Sequence, residues 1–128
     1  MPENVETETP VVVNHTINYI ELPVTDMAAS KAFYTAAFGW SYVDYGPTYA
    51  AFTNTGLDGG FDAASDRKPS KNGALVVIYA EDLEASLAKV KAAGGEISIP
   101  IFSFPGGRRF HFVDPSGNEL SVASYAQE

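Results

Sequence analysis

The sequence contains no cysteine, and bases are scarce: eight Lys and Arg stand against sixteen Asp and Glu, a formal charge of −8. The missing cysteine removes disulfides, thiolate zinc sites and a cysteine nucleophile together. The shortage of bases argues against nucleic acid, whose phosphates call for Lys and Arg gathered on one face. An anionic membrane surface is disfavoured for the same reason. No apolar run approaches the length that spans a bilayer, and the opening MPENVETETP lacks the apolar stretch of a secretion signal. These absences leave a cytoplasmic protein as the expectation. At 128 residues the chain suits one domain, which buries roughly two-thirds of its unfolded surface without covalent staples.

The acids are unevenly spread. Glu3, Glu6 and Glu8 lie in the first ten residues beside Thr7, Thr9 and Pro10, with no base. Such a composition cannot bury apolar area, so residues 1–10 read as a flexible acidic tail and 11–128 as the domain. Residues 15–24 alternate as a strand that Pro23 ends. Asp26 is placed to cap a helix over residues 27–38, with Met27, Phe33, Ala36 and Ala37 along one buried stripe and Gly39 as the stop. Three short strands are expected at 40–45, 49–53 and 57–62, followed by a polar linker over 63–72.

The second half repeats this order. A strand over 74–80 precedes Asp82 as cap, and Leu83, Leu87 and Val90 mark a helix at i, i+4 and i+7. Gly94-Gly95 ends it, Ile97, Ile99 and Ile101 alternate as a strand, and 108–113 and 119–124 flank a tight Asp114–Asn118 loop. An offset of 56 superposes Asp26 on Asp82, Ala29 on Ala85, Ser30 on Ser86, Ala32 on Ala88 and Gly39 on Gly95. The expected fold class is α+β. Two βαβββ modules, at about 11–64 and 73–126, would form an incomplete mixed β-barrel with a helix packed outside each.

Ile17-Asn18-Tyr19-Ile20-Glu21-Leu22-Pro23-Val24, Asp26 with Ser30, Phe33-Tyr34, Phe38-Gly39-Trp40, Ala80-Glu81-Asp82-Leu83, Gly94-Gly95 and Asp114-Pro115-Ser116-Gly117-Asn118 follow one another in this order. In that arrangement the chain resembles the vicinal oxygen chelate superfamily, which includes glyoxalase I, bleomycin-resistance proteins, fosfomycin-resistance enzymes and extradiol dioxygenases. The resemblance implies a His in the first strand, a His in the matching second-half strand and a carboxylate in the last strand as metal ligands. Those positions hold Tyr19, Leu75 and Ser121. Leu binds no metal, and Tyr or Ser seldom anchors a divalent ion alone. The resemblance therefore implies the scaffold without its standard metal, and homodimers as the usual assembly.

Strand parity adds candidates around those positions. Ile17, Tyr19 and Glu21 share a face, as do Glu119, Ser121 and Ala123. Glu21 and Glu119 are either a displaced metal site or acid/base pair, or plain solvated carboxylates, which is the favoured reading. In Arg108–Phe112 the alternation separates Arg109 and His111 from Phe110 and Phe112. His111 could be a base, a ligand or a hydrogen-bond donor, or a satisfied structural residue; Arg109 could orient an anionic ligand. Trp40, Tyr42, Tyr45, Tyr49 and Phe52 cluster in predicted strands, where they either line a pocket for planar ligands or fill a small core. Among these, Trp40, Tyr49 and Phe52 are taken as ligand-binding.

Together these features point to a protein that binds a small organic molecule in an aromatic cavity without a cofactor, as bleomycin-resistance proteins do. The alternative is a lyase, isomerase or dioxygenase with one divalent ion on Glu21, His111 and Glu119. A third reading makes the scaffold an interaction module.

Overall fold

Both helices start on an aspartate held in extended backbone. The Asp26 carboxylate accepts from the Ala29 N–H at 3.0 Å and opens α1 (Met27–Phe38). Asp82 makes the same bond to Ala85 and opens α2 (Leu83–Ala92). Each bond satisfies an amide that the helix itself leaves free. Gly39 closes α1 at φ +76°, a conformation costly for any residue with a Cβ. In the second module Gly94 takes the left-handed turn, at φ +102°. Gly95, the residue superposed on Gly39, serves packing instead: a Cβ there would lie 2.7 Å from Val90 Cγ1 and 2.9 Å from the Phe33 ring.

The computed structural model describes residues 12–126, so the acidic tail expected at 1–10 lies outside the described residues. Around the helices run β1 (Tyr19–Pro23), β2 (Tyr42–Asp44), β3 (Tyr49–Phe52) and β4 (Asp58–Asp62) in the first module. The second contributes β5 (Val77–Tyr79), β6 (Glu96–Phe104), β7 (Gly107–Val113) and β8 (Glu119–Tyr125). They form two mixed four-stranded sheets, β1-β4-β3-β2 and β5-β8-β7-β6. The sheets do not join into a closed barrel. β1–β4 and β5–β8 are the parallel pairs, and the other pairings are antiparallel.

Several strands are shorter than their apolar runs. β1 begins at Tyr19 because its partner β4 begins opposite it at Asp58. The residues before it turn, with Thr16 N–H on the Val13 carbonyl and His15 at φ +71°. β6 is longer than expected but shifts register between Ile97 and Phe102. Pro100 sits in that interval and has no N–H to give a ladder.

One core serves both modules. Phe33, Tyr34 and Ala37 of α1 meet Leu22 and Phe61 of the first sheet, Val24 just past β1, and Phe110, Phe112, Leu120 and Val122 of the second sheet. Tyr34 stacks on Trp40 with centroids 4.6 Å apart, and Phe33 lies 5.8 Å from Phe112. Helices of 12 and 10 residues are marginal alone. Burying each such aromatic contributes about 1.5–3 kcal/mol, so packing holds them.

One expectation changes here. The buried face of α1 is Ser30, Phe33, Tyr34 and Ala37, while Ala36 is exposed. Ser30 is buried because its hydroxyl bonds Ser116 Oγ at 3.1 Å across the modules. Trp40 and Phe52, taken as ligand-binding, are partly buried and pack against this core. They lie 5.0 Å apart, and both pack against Phe61 on the helix side of the sheet.

Hydrogen bonds also join the modules. The Tyr34 hydroxyl donates to Asp114 Oδ2 at 2.8 Å, and Asn118 Nδ2 donates to the Pro23 carbonyl at 2.8 Å. Asp114 Oδ1 meanwhile accepts from the amides of Ser116, Gly117 and Asn118, which closes the loop before β8. Among the described residues no helix is long and apolar enough to cross a membrane.

Candidate functional site

Alternation decides which side chains leave the core. In β7, Phe110 and Phe112 face the helices, so Arg109 and His111 face the opposite, open side of the sheet. In β8, Leu120 and Val122 face inward, while Glu119, Ser121 and Ala123 share the side of His111. The register sets His111 beside Ser121 on one flank and Ile99 on the other. Glu119 lies two pairs further along, on the same face, and reaches His111 diagonally.

That diagonal is a bonded pair: His111 Nδ1 lies 3.0 Å from Glu119 Oε2. The Ser98 hydroxyl donates to the same oxygen at 3.1 Å. Both side chains are largely buried, at 10% and 17% relative exposure. A carboxylate only accepts, so the geometry assigns the ring proton to Nδ1. His111 Nε2 is buried without a protein partner. Beside the pair opens a cavity of about 230 Å³, lined by Ser70, Lys71, Leu75, Ile99, His111 and Glu119.

The neighbouring arginines have separate tasks. Arg109 shares the face of His111 and lies over the rings of Phe102 and Phe104, at 5.3 and 5.5 Å. Its Nε is also buried without a partner. Arg108 points to the helix side and grips Glu84 of α2 through two bonds of 2.6 and 3.1 Å. Those bonds raise the Arg108 guanidinium and hold the Glu84 carboxyl below its usual range. Ser121 is fully buried and donates to the Phe110 carbonyl at 3.0 Å, so its hydroxyl is spent within the sheet.

A second polar group occupies the first sheet. Tyr19 and Tyr49 hydroxyls lie 2.5 Å apart, and Tyr49 donates to Glu21 Oε2 at 3.0 Å. Burial raises the Tyr49 phenol far above its ordinary range, and the bonds to Tyr19 and Glu21 add to the shift. Gly60 makes this arrangement possible. It stands opposite Glu21 in the ladder, and a Cβ there would sit 2.6 Å from the Tyr49 hydroxyl.

The structure thus gathers the candidates into two clusters: Tyr19, Glu21 and Tyr49 on one sheet, and Arg109, His111 and Glu119 on the other. Ser98, Lys71 and Gly60 are further participants that the sequence did not single out. Ser98 is marked only by alternation beside Pro100, and Gly60 only by its place in a weak strand.

Residues 16–122 match the family model of the Glyoxalase/Bleomycin resistance protein/Dioxygenase superfamily. The chain belongs to this superfamily. It is 32% identical over 121 residues to CFP32 of Mycobacterium tuberculosis, which is named as a glyoxylase; the match covers 84% of this chain and 44% of that protein. It is 31% identical over 123 residues to the anthracycline biosynthesis protein DnrV of Streptomyces peucetius, covering 81% and 45%. The chain therefore spans less than half the length of these relatives. Among solved structures, a glyoxalase-related enzyme from Fulvimarina pelagi superposes with a TM-score of 0.73 at 22% identity, covering 86% and 88% of the two chains. TioX from Micromonospora sp. ML1 gives 0.68 at 19% identity, covering 87% and 99%. These last two likenesses establish the glyoxalase-type fold.

The superfamily's customary metal can be weighed against the donors present. Leu75 has no lone pair to offer, the Ser121 hydroxyl is committed to Phe110, and the Tyr19 hydroxyl bonds Tyr49. Glu21 joins Tyr49 on the first sheet, apart from the His111–Glu119 pair on the second. Among the described residues, no three His, Asp or Glu side chains gather as a metal-holding group. This donor set does not fit the usual divalent ion.

Proposed function

We propose that this glyoxalase-superfamily protein binds a small organic molecule on the open face of its second sheet, without the standard metal. The carrying observation is His111 Nε2, a buried and unpartnered nitrogen on a side chain that lines a 230 Å³ cavity. A buried polar atom left without a partner carries a cost of about 1–3 kcal/mol, which a ligand group can recover on binding. Leu75 and Ile99 give the cavity apolar walls, and Lys71 adds a cation. The residues lining the cavity include no aromatic side chain besides the His111 ring, against which Phe102 packs at 5.9 Å. DnrV's naming for anthracycline biosynthesis supports including fused-ring aromatics among the ligands screened.

Homodimerisation belongs to the same reading. Val77 and Tyr79 leave 41% and 56% of their surface exposed on the sheet that carries the cavity, and a second copy would cover them. Sedimentation velocity should give twice the monomer mass.

The test is a thermal-shift and calorimetric screen of small aromatic ligands, combined with elemental analysis of dialysed protein. Saturable binding that weakens at least tenfold in His111→Ala supports the site. One tightly held divalent ion per chain sinks the metal-free reading.

A further inference from the structure

The His111–Glu119 pair has a direction that mere binding does not require. Glu119 accepts from Nδ1, and Ser98 donates to the same carboxylate oxygen, so in the neutral ring the lone pair is left on Nε2. A carboxylate behind a histidine fixes the tautomer and stabilises the imidazolium once the outer nitrogen takes a proton. His111 Nε2 has no protein partner, and the side chain lines the cavity. Few other charges bear on the ring. Lys71 lines the cavity, Arg109 lies two residues away along β7, and β6 contributes Ser98, Ile99 and Phe102, which carry none.

Resting on the binding site proposed above, we infer that His111 takes a proton from an acidic O–H of the bound molecule, a phenol or an enol. The ligand's O–H bond breaks, its electron pair stays on oxygen, and an Nε2–H bond forms. Glu119 remains a carboxylate and becomes the counter-ion of the imidazolium, while Lys71 offers positive charge to the new anion. The proton returns to oxygen on release. Glu119 is a positioning residue in this scheme, and its second acceptance from Ser98 holds it at the angle that Nδ1 needs.

4-Nitrophenol is a suitable probe, because its anion absorbs at longer wavelength than its neutral form. It is titrated into the full chain well below the pH at which the free probe ionises. 4-Nitroanisole, with the same ring and no O–H, is the control. The expected result is bound 4-nitrophenol with an anion spectrum in the wild type and a neutral spectrum in His111→Gln, while both proteins bind 4-nitroanisole alike. Glu119→Gln should lower the bound-anion fraction at least tenfold. Histidine side-chain ¹⁵N spectra of the unliganded wild type should show a bare Nε2, whether or not the variants fold. If both probes bind and 4-nitrophenol stays neutral in the wild type, the proton transfer is refuted and the binding site stands. If neither probe binds, both readings fall. A protonated Nε2 in the free protein at neutral pH overturns the proton transfer alone.

Discussion

The hydroxyl of Tyr34, in the first helix, donates to the carboxylate of Asp114, in the loop before the last strand, at 2.8 Å and out of contact with water. It joins the two modules at a point where the aromatic stack and the Asp114 loop meet. A buried hydrogen bond to a charged acceptor is worth about 1.5–3 kcal/mol. Tyr34→Phe should therefore lower unfolding stability by that amount in urea titrations while leaving the stack on Trp40 intact. Asp114→Ala should cost more than Tyr34→Phe, because three loop amides lose their acceptor as well. Equal losses would refute the shared role of that carboxylate.

Alkali should unfold the protein for a related reason. Burial and then the Asp114 charge raise Tyr34 well above the ordinary phenol value of 10.0. Burial pushes Tyr42 up to about 12, and Tyr49 is raised too. Above pH 10 the unfolded phenols lose protons that the folded ones keep, so the unfolded state binds fewer protons and stability falls with pH. The contribution is fully present below pH 10 and is lost through the folded values. Stability measured from pH 9 to 12 should decline, and less steeply in Tyr34→Phe. A flat profile would contradict the burial of these hydroxyls.

Gly60→Ala should be destabilising by about 1–3 kcal/mol, because the new methyl meets the Tyr49 hydroxyl and the Ala50 carbonyl at 2.6 and 2.8 Å. Tyr49→Ala removes only the first of these obstacles. A double-mutant cycle should accordingly show coupling between the two positions, with part of the glycine cost remaining. Strict additivity would mean that the phenol does not lie over Gly60.

Adjacent arginines offer a sharper comparison. Arg108→Ala breaks an exposed ion pair with Glu84 and should leave the melting temperature unchanged within error. Arg109→Ala strips a guanidinium from the faces of Phe102 and Phe104 and should cost about 1–2 kcal/mol. The reverse ranking would place the important cation on the helix side.

What the sequence disclosed follows from the range of each interaction. Asp26 and Asp82 cap helices through bonds three residues away, so their roles are visible in a short window. Parity separates Arg109 and His111 from Phe110 and Phe112 for the same local reason. The facing of Trp40 was hidden, since it lies in the non-helical stretch between α1 and β2 and no period governs it. The bond of His111 to Glu119 depends on the hairpin register, and that of Tyr49 to Glu21 on a bare glycine in a third strand. Neither can be read from spacing alone.

Asn118 touches both sides of the duplication: its amide donates to the Pro23 carbonyl, and its Oδ1 accepts from the Ser70 amide. With Ser116 bonded to the Thr25 amide, the last loop is a latch between repeats as well as a turn. The stretch at 64–68 is exposed, and cutting it should leave the two halves joined. Two separately translated halves, divided there, should find each other and reassemble through the latch and the common aromatic core.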